Sequence, residues 1–294
     1  LALCTDDRNP LDIAEEGHLD HLIRSAIGAG APMGAVYRAA SWSAAQGFGL
    51  RDRGLIASGY RAGIVSLDDL ADCAVASVIH DGRPVDDESF GGHRPDLSVW
   101  RRSIKLDRVE PSIFEVRGID PSGPVIGLVP DGVITTHLTM DLPFANGLRH
   151  PDPENDVLKV VVLNRHGGNR NIGRGFIKAF GFCDAAIASS VGDNDRDMAA
   201  AVNRLIEIEG GFAVVRGGRV IADLPLPIAG LMSDKSAADV VIVLQQLRFA
   251  AKDIGCPLPE PFLHMAFLPL CVIPHIKITD HGLVDIDNLE LIAA

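Results

Sequence analysis

Asp6, Asp7 and Arg8 follow, after Thr5, on an apolar run, Leu1 to Cys4, in the stretch "LALCTDDRNP". A carboxylate can take and return a proton, and an arginine can pair with a carboxylate in a fixed orientation. A short apolar run bounded by polar turn residues reads as a buried strand. Carboxylates at the C-terminal end of a buried strand occupy the place where (β/α)8 barrels keep catalytic groups. Aspartate is also a common helix cap, so catalysis and capping are both open for Asp6 and Asp7 on these residues alone.

The remaining reactive side chains are dispersed. Ten histidines include no H-x-H and no H-E-x-x-H; the one H-x-x-H is "HLDH", His18 and His21. At i, i+3 on a helix those two rings could share a ligand, or both could lie on a solvated face. No G-x-S-x-G elbow is present for an acyl-transfer serine. The glycines of "GFGLRDRG" are wrongly spaced for a dinucleotide loop. "NRHGGNRNIGRG" at 164–175 carries three arginines, and could embrace an anion or form a solvated turn. Ser189 and Ser190, in "ASSV", could present hydroxyls at a strand end.

Composition excludes several classes. The chain has 39 acidic against 27 basic residues, a formal net charge of -12, and no Lys/Arg run. Nucleic acid and anionic membrane surfaces are therefore not expected partners. Five cysteines, Cys4, Cys73, Cys183, Cys256 and Cys271, include no C-x-x-C spacing, which fits neither a disulfide framework nor a zinc ribbon. The apolar runs fall short of the ~20 residues of a membrane helix. The expectation is a soluble, cytoplasmic protein.

The elements that must position these residues read as follows. "LDIAEEGHLDHLIRSAIGAG", from Leu11, predicts one amphipathic helix with Leu19, Leu22, Ile23, Ala26 and Ile27 on its apolar stripe, ended by Gly28 and Gly30. Residues 46 to about 90 predict short strands, with "HDG" as a hairpin, and residues 91–124 a linker or boundary. Beyond them "DVLKVVVLN" and "AAIASSV" predict strands, and a helix capped by Asn194 or Asp195 runs to a Gly210 stop. "FAVVRGGRVIADL" predicts a hairpin about Gly217-Gly218, and a second capped helix ends at Gly255. The apolar tail "PFLHMAFLPLCVIPHIKI" is either core or an interface.

Several of these stretches together resemble the adenine deaminase family of the amidohydrolase superfamily. They are "LCTDDRNPLDIAEEGHLDHLIRSAI", "GFGLRDRGLIASGYRAGIVSLDDL", "DVLKVVVLNRHGG", "GFIKAFGF", "AAIASSV", "LPLPIAGLMS" and "FLPLCVIPHIKITDHGLVD". The resemblance implies the last βα unit of a (β/α)8 barrel over 1–45, a small β-sandwich domain over 46–95 and an α+β C-terminal domain over 96–294, an α/β plus α+β fold. It implies that the chain starts inside the eighth barrel strand and needs an N-terminal barrel half to be active. Asp6 would be the proton shuttle, with Asp7 the alternative. Arg8 would lie on the same rim, as a substrate contact, as the residue that orients the loop by pairing with a carboxylate, or exposed to solvent. The resemblance further implies a divalent metal, Mn(II) or Fe(II) and binuclear, with Asp6 a possible ligand and the other ligands upstream. It implies adenine as substrate and a homo-oligomer. Another aminopurine or a cyclic amide, or a non-catalytic scaffold, are the competing readings. The chain departs from the family at Ser58 and Gly63, where Pro and Asp are usual. It also passes from Val191 straight to Gly192, where the family carries a histidine-bearing H-D-S-H-N segment.

Overall fold

A computed structural model describes residues 1–86, 89, 96–129, 132–181, 185–188 and 191–292, with the backbone alone considered at 185–188. Cys183, His93, Ser189 and Ser190 lie outside the described residues. The chain divides into two compact units, Leu1–Asp96 and Leu97–Ala294.

The first unit carries four short helices, α1 (Pro10–Glu16), α2 (Leu19–Gly28), α3 (Met33–Ala40) and α4 (Trp42–Gly47). The single helix predicted from Leu11 is thus two. Gly17, at φ 105°, adopts a backbone that an L side chain resists, and there the chain turns between α1 and α2. Leu1–Cys4 forms no strand. A strand needs a neighbour for its backbone groups, and among the described residues this segment has one such contact, Leu3 N–H to Ala39 O at 3.2 Å. The apolar stripe of α2 packs Ile23 against Val36 and Cys73. Strands β1 (Ile64–Asp69), β2 (Ala74–His80) and β3 (Arg83–Pro84) form one antiparallel meander. The hairpin signal "HDG" turns through Asp81 and Gly82, both at positive φ, as a tight two-residue turn requires. Among the described residues this unit holds a single sheet, where a β-sandwich had been expected.

The second unit is mixed α/β. Its strands are β4 (Val116–Arg117), β5 (Ser122–Leu128), β6 (Thr135–Asp141), β7 (Phe144–Ala145), β8 (Leu148–Arg149), β9 (Val157–Leu163), β10 (Ile172–Lys178), β11 (Ala185–Ala188) and β12 (Val191–Gly192). Helix α5 (Asp195–Glu207), the hairpin β13 (Gly211–Arg216) and β14 (Arg219–Pro225), α6 (Ala237–Asp253), α7 (Pro261–Phe267) and β15 (Ile276–Thr279), β16 (Gly282–Asp285) and β17 (Glu290–Ile292) follow. Eight strands make one sheet, in the order β14-β13-β11-β12-β9-β10-β5-β6, antiparallel except between β10 and β5.

The capping signals hold. Asn194 Oδ1 accepts from Asp197 N–H at 2.8 Å to start α5, and Ser236 Oγ accepts from Asp239 N–H at 3.1 Å to start α6. Met198, Ala201 and Val202 of α5 are buried against Phe114, Val161, Ala213 and Val215. Asp197, itself buried, accepts from the N–H groups of Gly217 and Gly218 at 2.9 and 2.6 Å and so ties α5 to the hairpin turn. The apolar tail is largely core: Phe262, Met265, Leu268, Ile276 and Ile278 are buried, while Val272 is exposed. Strand β10 carries Gly173 and Gly175 on the face that receives the β15–β16 hairpin. A Cβ on Gly173 would stand 1.7 Å from the Thr279 carbonyl oxygen, and one on Gly175 2.8 Å from Leu283.

Candidate active-site loop

Asn9, not Asp6 or Asp7, caps the first helix. Its Oδ1 accepts from Leu11 N–H at 2.8 Å and Asp12 N–H at 3.0 Å, and Asp12 Oδ2 accepts from Asn9 N–H at 3.1 Å. This reciprocal box, with Pro10 in the first turn, satisfies the early N–H groups of α1. The capping explanation for the acidic pair is therefore removed. Both carboxylates are exposed and, among the described residues, neither is engaged in a side-chain hydrogen bond. Asp6 sits at φ 49°, a left-handed conformation that aspartate tolerates better than most residues. Its carbonyl accepts from Arg8 N–H at 2.9 Å, which closes a tight turn.

Arg8 points away from solvent. Its side chain is 15% exposed and its Nη2 meets Glu16 Oε2 at 2.6 Å. The same Nη2 donates to Asp12 O at 2.9 Å, and Nε is buried without a hydrogen-bond partner among the described residues. The sequence alone paired Arg8 with an unspecified carboxylate; the structure names Glu16, eight residues on. Spacing could not show this, because the break at Gly17 makes α1 a two-turn helix with Glu16 at its last position.

The "HLDH" histidines do not converge. His18 stands at the N-cap of α2, and its Nε2 lies 3.0 Å from Thr5 Oγ1. His21 lies on the helix with Nε2 3.9 Å from Glu16 Oε2. Asp20, between them, receives His18 N–H at 2.7 Å and Arg24 Nη1 at 2.7 Å. Burial pushes its carboxyl up, but the Arg24 contact and the His18 N–H outweigh it and leave Asp20 below its ordinary range.

The three arginines of 164–175 likewise take separate partners. Arg165 donates to Ala229 O at 2.9 Å, Arg170 lies 3.6 Å from Asp107, and Arg174 donates to Ile113 O at 2.6 Å. Residues 172–175 are strand, not turn. Among the described residues these three arginines form no shared anion cradle.

A resident divalent-metal pair was also expected. Among the described residues no group of three or more His, Cys, Asp and Glu side chains could hold a metal ion. Such a centre needs at least three protein donors per ion in its usual catalytic forms, so these residues do not by themselves fit it. No described helix is long and apolar enough to cross a membrane.

The sequence profile of the adenine deaminase C-terminal domain matches residues 132–290. The chain is 55% identical to an adenine deaminase of Methylobacterium nodulans, over 99% of this chain and 54% of that protein. It is 52% identical to an adenine deaminase of Gluconobacter oxydans, over 99% and 54%, and 51% identical to one of Brucella suis biovar 1, over 99% and 52%. The chain thus spans about half the length of the curated relatives it matches. The Methylobacterium alignment runs over 303 positions against the 294 residues here, so that relative has residues inside the matched span that this chain lacks.

Proposed function

Because the chain belongs to the adenine deaminase C-terminal domain family, we propose that the protein it comes from hydrolyses adenine to hypoxanthine and ammonia, with Asp6 moving the proton. The observation that carries this is identity near 50% to adenine deaminases over 99% of the chain, the Asp6 segment included. The capping box at Asn9 adds a structural reason: it frees both neighbouring carboxylates from helix duty.

In this reaction hydroxide from water adds to C6 of the purine while ring N1 gains a proton. The C6–N bond to the exocyclic amine then breaks, the C6 hydroxyl gives up its proton as the carbonyl forms, and ammonia leaves. A carboxylate beside the water takes a proton and passes one to the departing amine, so that of the two protons of water one ends on N1 and one on ammonia. Positioned proton transfer of this kind is worth about 10²–10⁴-fold in rate. Asp6 is the residue proposed for it, with Asp7 next in order. The proposal carries with it a (β/α)8 barrel completed by residues outside this chain, a β-sandwich of which β1–β3 is one layer, a cytoplasmic location and a homo-oligomer. The Mn(II) or Fe(II) pair belongs to the same proposal, its ligands lying outside this chain and Asp6 being a single donor this loop could add.

The test is adenine turnover by the complete, manganese-loaded gene product, followed as the ultraviolet change to hypoxanthine, in the parent and in Asp6→Asn. Turnover that collapses in the variant supports both the activity and the base. A folded, metal-replete parent without turnover sinks the adenine assignment.

A further inference from the structure

We infer that Arg8 is a positioning residue and not a substrate contact, and that Glu16, acting through Arg8, fixes the loop that holds Asp6. The inference rests on the reading of Asp6 as the proton carrier. Four observations converge on it.

First, the guanidinium is turned inward: Nη2 is shared between Glu16 and the Asp12 carbonyl, and the side chain is 15% exposed. A cation held in this way has little surface to offer a ligand. Second, the Arg8 backbone is itself half of the Asp6 turn, through its N–H to Asp6 O at 2.9 Å. Third, Asp6 is held at φ 49°. A non-glycine residue in that region persists when its surroundings over-determine it, and the Arg8 anchor together with the Asn9–Asp12 box supplies that determination on the C-terminal side. Fourth, Thr5 is tied to His18 at 3.0 Å on the N-terminal side. Asp6 and Asp7 therefore lie between two polar anchors.

Glu16 is what keeps the arginine in place. Without it a largely buried guanidinium has no counter-ion in the contacts that hold Arg8, and an uncompensated buried charge is costly. The side chain would then turn towards water and release the turn. Displacement of a reacting group by an ångström can cost about a hundredfold in rate, and a loosened turn spends part of its time displaced.

The experiment compares Glu16→Gln, Arg8→Met, their double variant, Arg8→Lys and Asp6→Asn in the complete enzyme, with kcat and KM for adenine and the thermal midpoint measured for each. Glu16 is about half exposed, so Glu16→Gln tests the idea without emptying a core. The expected result is a fall in kcat of about tenfold or more in both Glu16→Gln and Arg8→Met. KM should stay near the parent value, Arg8→Lys should recover much of the loss, and the double variant should fall no further than the worse single one. A raised KM in Arg8→Met with kcat kept and Glu16→Gln silent would overturn the inference, since Arg8 would then touch substrate. Full activity in both, with Asp6→Asn inactive, overturns it while leaving the function intact. An active Asp6→Asn removes the reading beneath it, and the inference falls with it.

Discussion

The two units hold themselves together by different means. In Leu97–Ala294 a broad sheet is covered by helices and a hairpin, and Phe114, Phe176, Phe180, Met198 and Leu247 are fully or almost fully buried. In Leu1–Asp96 the only comparably buried large side chain is Leu11, among the described residues, while Leu55, Ile56, Val65, Leu70 and Val75 are each more than half or about half exposed. The contrast bears directly on chemistry. The loop of Asp6 sits on the unit with the slighter core, so its shape rests on named polar contacts at Asn9, Arg8 and Thr5. In the other unit packing dominates.

That contrast can be broken by mutation. Phe114→Ala should cost about 3–5 kcal/mol, the usual penalty for emptying a buried aromatic site, whereas Val75→Ala in the chain as described should stay within about 0.5 kcal/mol. Urea unfolding of both variants decides it, and equal losses would erase the distinction. Asp197→Ala leaves the hairpin amides of Gly217 and Gly218 without an acceptor and should lose about 1–3 kcal/mol, seen as faster amide exchange at that turn. Asn9→Ala and Asn194→Ala each remove a helix cap and should cost about 1 kcal/mol. Exchange in α1 should rise broadly for the first, because little packing backs it, and stay confined to the first turn of α5 for the second.

The smallest effect is one of pH. Asp20 is held below its ordinary range, with burial opposing and Arg24 and the His18 N–H prevailing. A lowered folded pKa means stability that is present above the unfolded value and lost as pH falls through the folded one. Both partners are about one-third exposed, so the pair should contribute less than about 0.5 kcal/mol. Arg24→Gln should lower stability slightly at neutral pH and flatten the acid limb, the two curves converging in acid once the Asp20 carboxyl is protonated. A difference that persists undiminished in acid would show that Arg24 acts through its contacts to the Glu16 and Asp72 carbonyls instead.

What was legible in the sequence follows from where the determining interactions lie. The helices at 195–207 and 237–253 were readable because their caps, Asn194 and Ser236, act within three residues. The Gly217-Gly218 and Asp81-Gly82 hairpins were readable for the same local reason. Leu1–Cys4 takes no strand partner within this chain, because an apolar run becomes a strand only where partners exist for its backbone, and the partners the barrel reading calls for lie outside it. The helix from Leu11 was overextended because Gly17 is compatible with a helix in composition but is used here at φ 105°. At the site, the acidic pair could be picked out from residue type alone. The roles of Asn9, Glu16 and Thr5 could not, since each depends on how α1 and α2 bend around Gly17. The glycines of "NIGRG" looked like turn chemistry and proved to be strand positions.

Those two strand glycines have a consequence for how this surface can drift. Every missense change at Gly173 or Gly175 adds a Cβ, and on Gly173 that atom would overlap a backbone oxygen rather than a side chain able to move aside. The seat of the β15–β16 hairpin therefore has no gradual route to a new shape. In a saturation library Gly173 should stand empty of tolerated variants, while Gly175, facing the movable end of Leu283, should admit alanine when position 283 is shortened with it. The hairpin's placement is an inherited constant of the unit, open to revision by paired change and closed to single steps.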